Sequence, residues 1–280
     1  MPFLELFDET LDINSTVNYQ LSIQLSPEGL LFCILDAIRN KFILLRSTEP
    51  DDNKIFTPDI ISEIISKDDF LARQYKKVSI VMPSPRFTLV PAPLFDQAKK
   101  EEYFTFNHTL NENHIVLSNK IPDPDAYIVF SVEKQLFELC GHLYPDIYPF
   151  HHTKPLLDQV SHNSKSTNGK HVHIHVEKAF FNLLIFQNSI LKFSNSFSYR
   201  NTSDILYFVL NVFKSLEISQ EETICFSGLT EKYDDLSSKF ASYIRNIKFT
   251  GPEGNFTFSY VFNDIELHRY LNLFSAVNCE

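Results

Sequence analysis

The chain predicts an α/β fold made of two halves of like design. Three observations carry this. The element order β-β-β-α-β can be read twice along the sequence, each half opens on a strand of period-two hydrophobicity, and each opening meander runs into a helix with its own start signal. No residue-by-residue repeat accompanies the repeated order. The 280 residues, 32.5 kDa, suffice for one large domain or two medium ones with a sizeable core.

Tyr19 to Leu25 alternates as Y-Q-L-S-I-Q-L, which puts Tyr19, Leu21, Ile23 and Leu25 on one side of a half-buried strand. Ser26-Pro27-Glu28-Gly29 is its turn: proline presets one dihedral, and Gly29 is expected to supply a positive φ. Leu30 to Ile38 and, beyond Arg39-Asn40, Phe42 to Leu45 complete the first meander. Thr57-Pro58-Asp59 starts a helix with Thr57 as cap, Pro58 at the first helical position and a stripe of Ile60, Ile61, Ile64, Ile65 and Leu71. The strand Val78 to Met82 follows. A helix over Leu94 to Phe106, strands over His114 to Ser118 and Tyr127 to Val132, a helix from Glu133 to Cys140 ended by Gly141, and a strand over Ile147 to His152 finish the first half.

The second half repeats the plan. His171 to Val176 alternates, Phe180 to Phe186 is an apolar run, and Ile190 to Phe193 follows Gln187-Asn188-Ser189. Thr202 is the expected cap of a helix whose Ile205, Val209, Val212 and Leu216 recur at helical spacing, leading to a strand at Thr223 to Phe226. Helices over Glu231 to Tyr243 and Ile265 to Ala276 close the chain. Between the halves, Ser161 to Lys170 holds no apolar residue and reads as an exposed connection. The lobes are therefore drawn at 1–163 and 164–280, with the last helix free to pack back on the first lobe.

Composition excludes several function classes. The six glycines are Gly29, Gly141, Gly169, Gly228, Gly251 and Gly254, and no two are separated by a single residue, so neither G-x-G-x-x-G nor a P-loop exists. The net charge is −10 and the basic residues are scattered, which argues against nucleic acid as a partner. Met1 to Asp12 is acidic, with no cationic stretch ahead of an apolar one, the wrong order for a secretory signal, and the apolar runs are too short for a membrane span. Cys33, Cys140, Cys225 and Cys279 lie far apart in apolar company, the pattern of reduced buried thiols in a cytoplasmic protein. Most of the 27 Phe are expected in the core.

Two β-β-β-α-β-α halves about a cleft is the plan of the actin-like ATPase fold, a ribonuclease H-like architecture shared by actin, sugar kinases, Hsp70 and pilus-assembly ATPase homologues. More specifically, the chain resembles an uncharacterised bacterial domain-of-unknown-function family with that fold. The matching features are L-S-I-Q-L-S-P-E-G at Leu21 to Gly29, V-P-A-P-L-F-D at Val90 to Asp96, Y-P-F-H-H at Tyr148 to His152 and the closing N-C-E. The resemblance covers essentially the whole chain and implies the fold, but hands over no activity. It also implies where nucleotide would sit: in actin-like ATPases two Asp-x-Gly hairpins and a Gly-Gly adenosine loop approach the phosphates, because close backbone approach needs glycine and the metal needs a carboxylate. Here the first hairpin reads Ser26-Pro27-Glu28-Gly29, without Asp and with a proline that removes a donor N–H. The second reads Val176-Glu177-Lys178-Ala179, without glycine, and the adenosine-loop position, Ser227-Gly228-Leu229, keeps one glycine.

Ser26, Glu28, Gly29, Glu177, Ser227 and Gly228 are thus the positions of a degenerate nucleotide cleft, where Glu28 and Glu177 would face each other as an acid/base or metal pair or simply as exposed hairpin carboxylates. His151 and His152 end a predicted strand, where open α/β sheets place ligands, so both are cleft candidates; the plainer expectation is that one turns inward to backbone while the other is exposed. His171, His173 and His175 point to one face of a strand, with ~7 Å between alternate residues, a spacing that suits two imidazoles on one metal. The plainer reading makes them the solvent-facing side of a strand whose Val172, Ile174 and Val176 point inward. The sequence therefore predicts a non-catalytic actin-like protein, a pseudo-ATPase that binds a protein or peptide partner, with neither Mg-ATP nor a metal resident. The alternatives are a nucleotide-binding ATPase or phosphotransferase with a rearranged phosphate site, and a metal-dependent histidine site.

Overall fold

Two large sheets share one topology, and the repeated element order of the sequence is its cause. The computed structural model describes residues 4–51, 54–145, 147–165 and 169–279. In chain order the elements are β1 (Leu4–Phe7), β2 (Tyr19–Ser26), β3 (Gly29–Asp36), β4 (Lys41–Thr48), α1 (Pro58–Lys67), β5 (Lys77–Met82), β6 (Phe87–Pro91), α2 (Lys100–Asn107), β7 (His114–Ile121), β8 (Ala126–Glu133), α3 (Lys134–Leu143), β9 (Phe150–His151) and α4 (Thr153–Ser164). The second half holds β10 (Lys170–Val176), β11 (Phe180–Gln187), β12 (Ile190–Ser198), α5 (Thr202–Ser215), β13 (Thr223–Gly228), α6 (Asp235–Ala241), β14 (Asn246–Phe249), β15 (Thr257–Phe258) and α7 (Leu271–Ser275).

The first sheet runs β1-β4-β3-β2-β5-β9, with β15 also on β4, and the second runs β12-β11-β10-β13-β14. In each, an antiparallel meander is extended from its first strand by two parallel strands, so β4-β3-β2-β5-β9 and β12-β11-β10-β13-β14 are the same path. A third sheet, β6-β8-β7, is inserted in the first half and covered by α2 around Val90, Phe104, Val116 and Val129.

Helices α4 and α7 pack on each other between the large sheets: α4 touches β11, and α7 reaches β2 and β3 of the first sheet and β13 of the second. The C-terminal segment is tied to the first sheet by β15 on β4, by Ser259 Oγ donating to Asp8 at 2.5 Å, and by Phe42, whose ring lies 4.7 to 5.2 Å from those of Phe256, Phe258 and Phe274.

Several local expectations need correction. Gly141 lies inside α3 and does not end it; the helix closes at Leu143, with Tyr144 N–H donating to Cys140 O. The predicted helix over Leu94 to Phe106 is two 3₁₀ turns, Ala92–Leu94 and Gln97–Lys99, before α2, and the last helix is 3₁₀ turns on either side of a short α7. The polar run Ser161 to Lys170 does not begin as a loop, because α4 continues to Ser164. Ser161 and Ser164 are buried there, Ser161 Oγ donating to Asp123 and Ser164 Oγ to Ser161 O. Residues 166–168 of that run lie outside the described residues, as does the last residue of the closing N-C-E.

Thr57 caps α1 as read, accepting from Ile60 N–H, but α5 is capped by Asn201 and not by Thr202. Asn201 accepts from Ser203 and Asp204 N–H while Asp204 Oδ2 accepts from Asn201 N–H, a reciprocal capping box. Asn201→Ala is expected to cost about 1 kcal/mol in a urea melt and Thr202→Ala clearly less, since only the former orphans helix N–H groups. Equal losses would mean that the cap is misassigned.

Candidate functional site: a cleft between two hairpins

The β2–β3 turn and the β10–β11 turn open onto one cleft of about 350 Å³. Ser26, Glu28 and Gly29 come from the first turn, Glu177 and Lys178 from the second, Gly228 from the end of β13, and Arg269 and Asn272 from the C-terminal segment. Five of the six degenerate-cleft positions therefore line it. Ser227, the sixth, stands just behind and is fully buried.

The first hairpin spends its backbone donors on itself. Ser26 pairs with Gly29 across a two-residue turn, Glu28 N–H donates to Ser26 Oγ at 3.2 Å, and Pro27 has no N–H to offer. The expected positive φ at Gly29 is not present: Gly29 is the first residue of β3, and its bareness serves space, because a Cβ there would meet Thr48 O at 3.3 Å. In the second hairpin Glu177 N–H is likewise taken, by Phe180 O at 2.9 Å. Gly228 is the glycine that does need its freedom, with φ +81 and a backbone pressed against Val176. Leu229 N–H donates to Val176 O at 2.7 Å across this contact.

Behind the cleft runs a chain of polar side chains. His173 Nε2 and His175 Nδ1 each lie 2.7 Å from Ser227 Oγ, and His175 Nε2 lies 3.2 Å from Glu177 Oε1 and 2.8 Å from Asn272 Nδ2. The solvent-facing reading of this strand is overturned: His171, His173 and His175 are all buried. The reason is position. β10 is the central strand of its sheet, with Val172, Ile174 and Val176 packed under α5 and α6 and the histidine face turned toward the C-terminal segment. The hydroxyl of Ser227 holds two of the three imidazoles, and among the described residues no group of three His, Cys, Asp or Glu is placed to hold a metal ion. Burial pulls His173 well below the ordinary histidine pKa. Burial pushes Glu177 up, but its hydrogen bond to His175 and the nearby His152 outweigh this and keep the carboxyl below its usual range.

His151 and His152 do not line the cleft, and neither is exposed; both are fully buried. His151 Nε2 lies 2.9 Å from Ser84 O, the inward backbone bond expected of one of the pair. His152 bridges the sheets, its Nδ1 accepting from Ser84 N–H and its Nε2 lying 2.8 Å from Asn182 Oδ1 on β11. Burial lowers the His152 pKa to about 4, partly offset by Glu177 and Asn182.

Asn182 and Asn272 were not found from the sequence. Asn182 had a signal, a lone polar residue within the apolar run Phe180 to Phe186, which a strand covered on both faces tolerates only with partners. Asn272 had none, for it meets His175 across 97 residues of chain.

A family model described as protein of unknown function (DUF3822) matches residues 8–247. The chain belongs to that family. Its structure is similar to that of a Bacteroides thetaiotaomicron protein with an actin-like ATPase fold and unknown function, at 26% identity and a TM-score of 0.83, covering 97% of this chain and 100% of that one. It is also similar to the PilM–PilN type IV pilus biogenesis complex structure, at 11% identity and a TM-score of 0.57, covering 94% of this chain and 98% of that one. No curated protein matches the chain. The DUF3822 family member described here therefore has an actin-like ATPase fold, and among its described residues no helix is long and apolar enough to cross a membrane.

Proposed function

We propose that this protein is a non-catalytic actin-like module, a pseudo-ATPase whose cleft and surfaces serve interaction or assembly with a protein or peptide partner. The observation that carries the reading is the pair of self-satisfied hairpins. Where a triphosphate would need bare backbone N–H groups, Pro27 lacks one, and Glu28 and Glu177 give theirs to Ser26 Oγ and Phe180 O. Their carboxylates face the same space, where a polyphosphate would be repelled. The PilM neighbour supports the same direction, since that protein of like fold was solved in a complex with PilN. Ser26, Glu28, Gly29, Glu177, Ser227 and Gly228 are, on this reading, nucleotide-site positions converted to structural and recognition duties.

The test is ligand-induced stabilisation. A native-state ligand at 100 times its Kd adds about 2.7 kcal/mol, so a nucleotide that binds raises the melting temperature visibly. Mg-ATP and Mg-ADP at millimolar concentration are expected to leave the melt unchanged and to release no phosphate. A saturable, magnesium-dependent rise would replace this reading with that of a nucleotide-binding ATPase or phosphotransferase.

A further inference from the structure

The charged residues of the cleft do not cancel. Lys178 faces Glu49 at 3.9 Å, and Arg269 is bound to Glu231, its Nε being left without a partner. Both cations of the cleft wall are thus engaged. Among the described residues, Glu28 and Glu177 have no lysine or arginine within ion-pair distance, and Glu177 is held as a carboxylate against His175. A second observation lies in the same wall: Asn272, only 2% exposed, has its Nδ2 2.8 Å from His175 Nε2 while its Oδ1 is buried without any donor. A buried acceptor without a donor is costly, and a ligand that brings a donor into the cleft would satisfy this one. Two carboxylates without a lysine or arginine partner and an orphaned amide oxygen call for a group that is cationic and carries only donors.

We propose that the cleft recognises a primary ammonium or guanidinium group, with Glu28 and Glu177 as its carboxylate partners and Asn272 Oδ1, brought to it by a rotation of the amide, as the third acceptor. The inference rests on the cleft being a recognition site and not a nucleotide site. A lysine or arginine side chain of a protein partner and a free polyamine share this chemistry.

Isothermal titration at low salt, with a capped lysine tripeptide, the same peptide acetylated at Nζ, and spermidine as probes, tests it. Saturable binding is expected for an amine and none for the acetylated peptide, whose charge is gone. Glu28→Gln and Glu177→Gln should each weaken binding about tenfold or more, with Glu101→Gln, on the exposed face of α2, without effect. The peptide and spermidine arms identify the source of the cation. Glu28 sits on a half-exposed turn, so Glu28→Gln decides the matter if Glu177→Gln does not fold. Absence of amine binding, or binding indifferent to Glu28→Gln in the folded variant, overturns the proposal. If the Mg-ATP melt is also flat, it falls alone and the non-nucleotide reading stands.

Discussion

Gly228→Ala is expected to be the most damaging single-methyl substitution at any glycine of this protein. At φ +81 an alanine is already strained by roughly 1 to 2 kcal/mol. The added Cβ would lie 2.1 Å from Val176 O and 2.8 Å from Val176 N, and both are backbone atoms with no rotamer to escape into. Relief requires β10 and β13 to part at their ends, where Val176 pairs with Gly228 and Leu229 N–H donates to Val176 O. The summed loss should exceed about 4 kcal/mol, a large share of the roughly 5 to 15 kcal/mol that stabilises a typical domain. Gly141→Ala is the matched control. It lies exposed inside α3 with nothing within 4 Å of the new Cβ, so it should gain roughly 0.5 to 1 kcal/mol from helix propensity alone. Urea midpoints of the two variants check both signs; a Gly228→Ala protein within 1 kcal/mol of the parent would mean that the two strand ends do not meet as described.

The contrast also explains which parts of the fold were legible. The six meander strands were found because the two opening alternations, the apolar runs after them and the polar turns between are local facts, and their repetition revealed the duplicated topology. Gly141 was misread because a glycine after an apolar stripe resembles a helix stop; only φ separates a stop from a tolerated interior glycine. Asn201 was legible but overlooked, since Asn201-Thr202-Ser203-Asp204 has the spacing of a capping box whereas Thr202 would place Ile205 at the third position. Buried polarity was the larger failure. Ser161, Ser164 and the β10 histidines read as solvent-facing because sequence reports polarity and not partners, and the partners Asp123, Ser227 and Asn272 are supplied by tertiary structure. The Ser26 to Gly29 turn was visible for the same reason as the strands, being local, whereas the place of both hairpins in a cleft followed only from the resemblance to actin-like ATPases. The third wall of the cleft, carrying Arg269 and Asn272, comes from the end of the chain and left no trace in the sequence.

Those buried histidines make stability strongly dependent on pH. His151, His152 and His173 are fully enclosed, and burial lowers the pKa of each below the ordinary 6.5, to about 4 for His152. Unfolding releases the rings to water, where they take up protons as pH falls through 6.5. The folded rings stay neutral down to about pH 4 in the case of His152. Across that window the unfolded state binds more protons, so stability is full above pH 6.5 and falls as pH drops, by about 1.4 kcal/mol per pH unit for each histidine. His152 alone loses about 3 kcal/mol between pH 6.5 and 4, and His151 and His173, whose pKa values are lowered in the same direction, add losses of the same sign. Carboxylates held low, such as Glu177, add their own loss only below their ordinary range near pH 4.5, so they cannot account for a decline that starts near neutrality. Urea melts from pH 7.5 to 4.5 are expected to show a steep fall beginning near pH 6.5, with a slope of more than one proton. His152→Gln keeps a donor for Asn182 and should lower stability at pH 7.5 while flattening that slope by about one proton. A flat profile between pH 7 and 5 would mean that these rings exchange protons as readily in the folded protein as in the unfolded chain, and that the polar layer between the sheets is open to water.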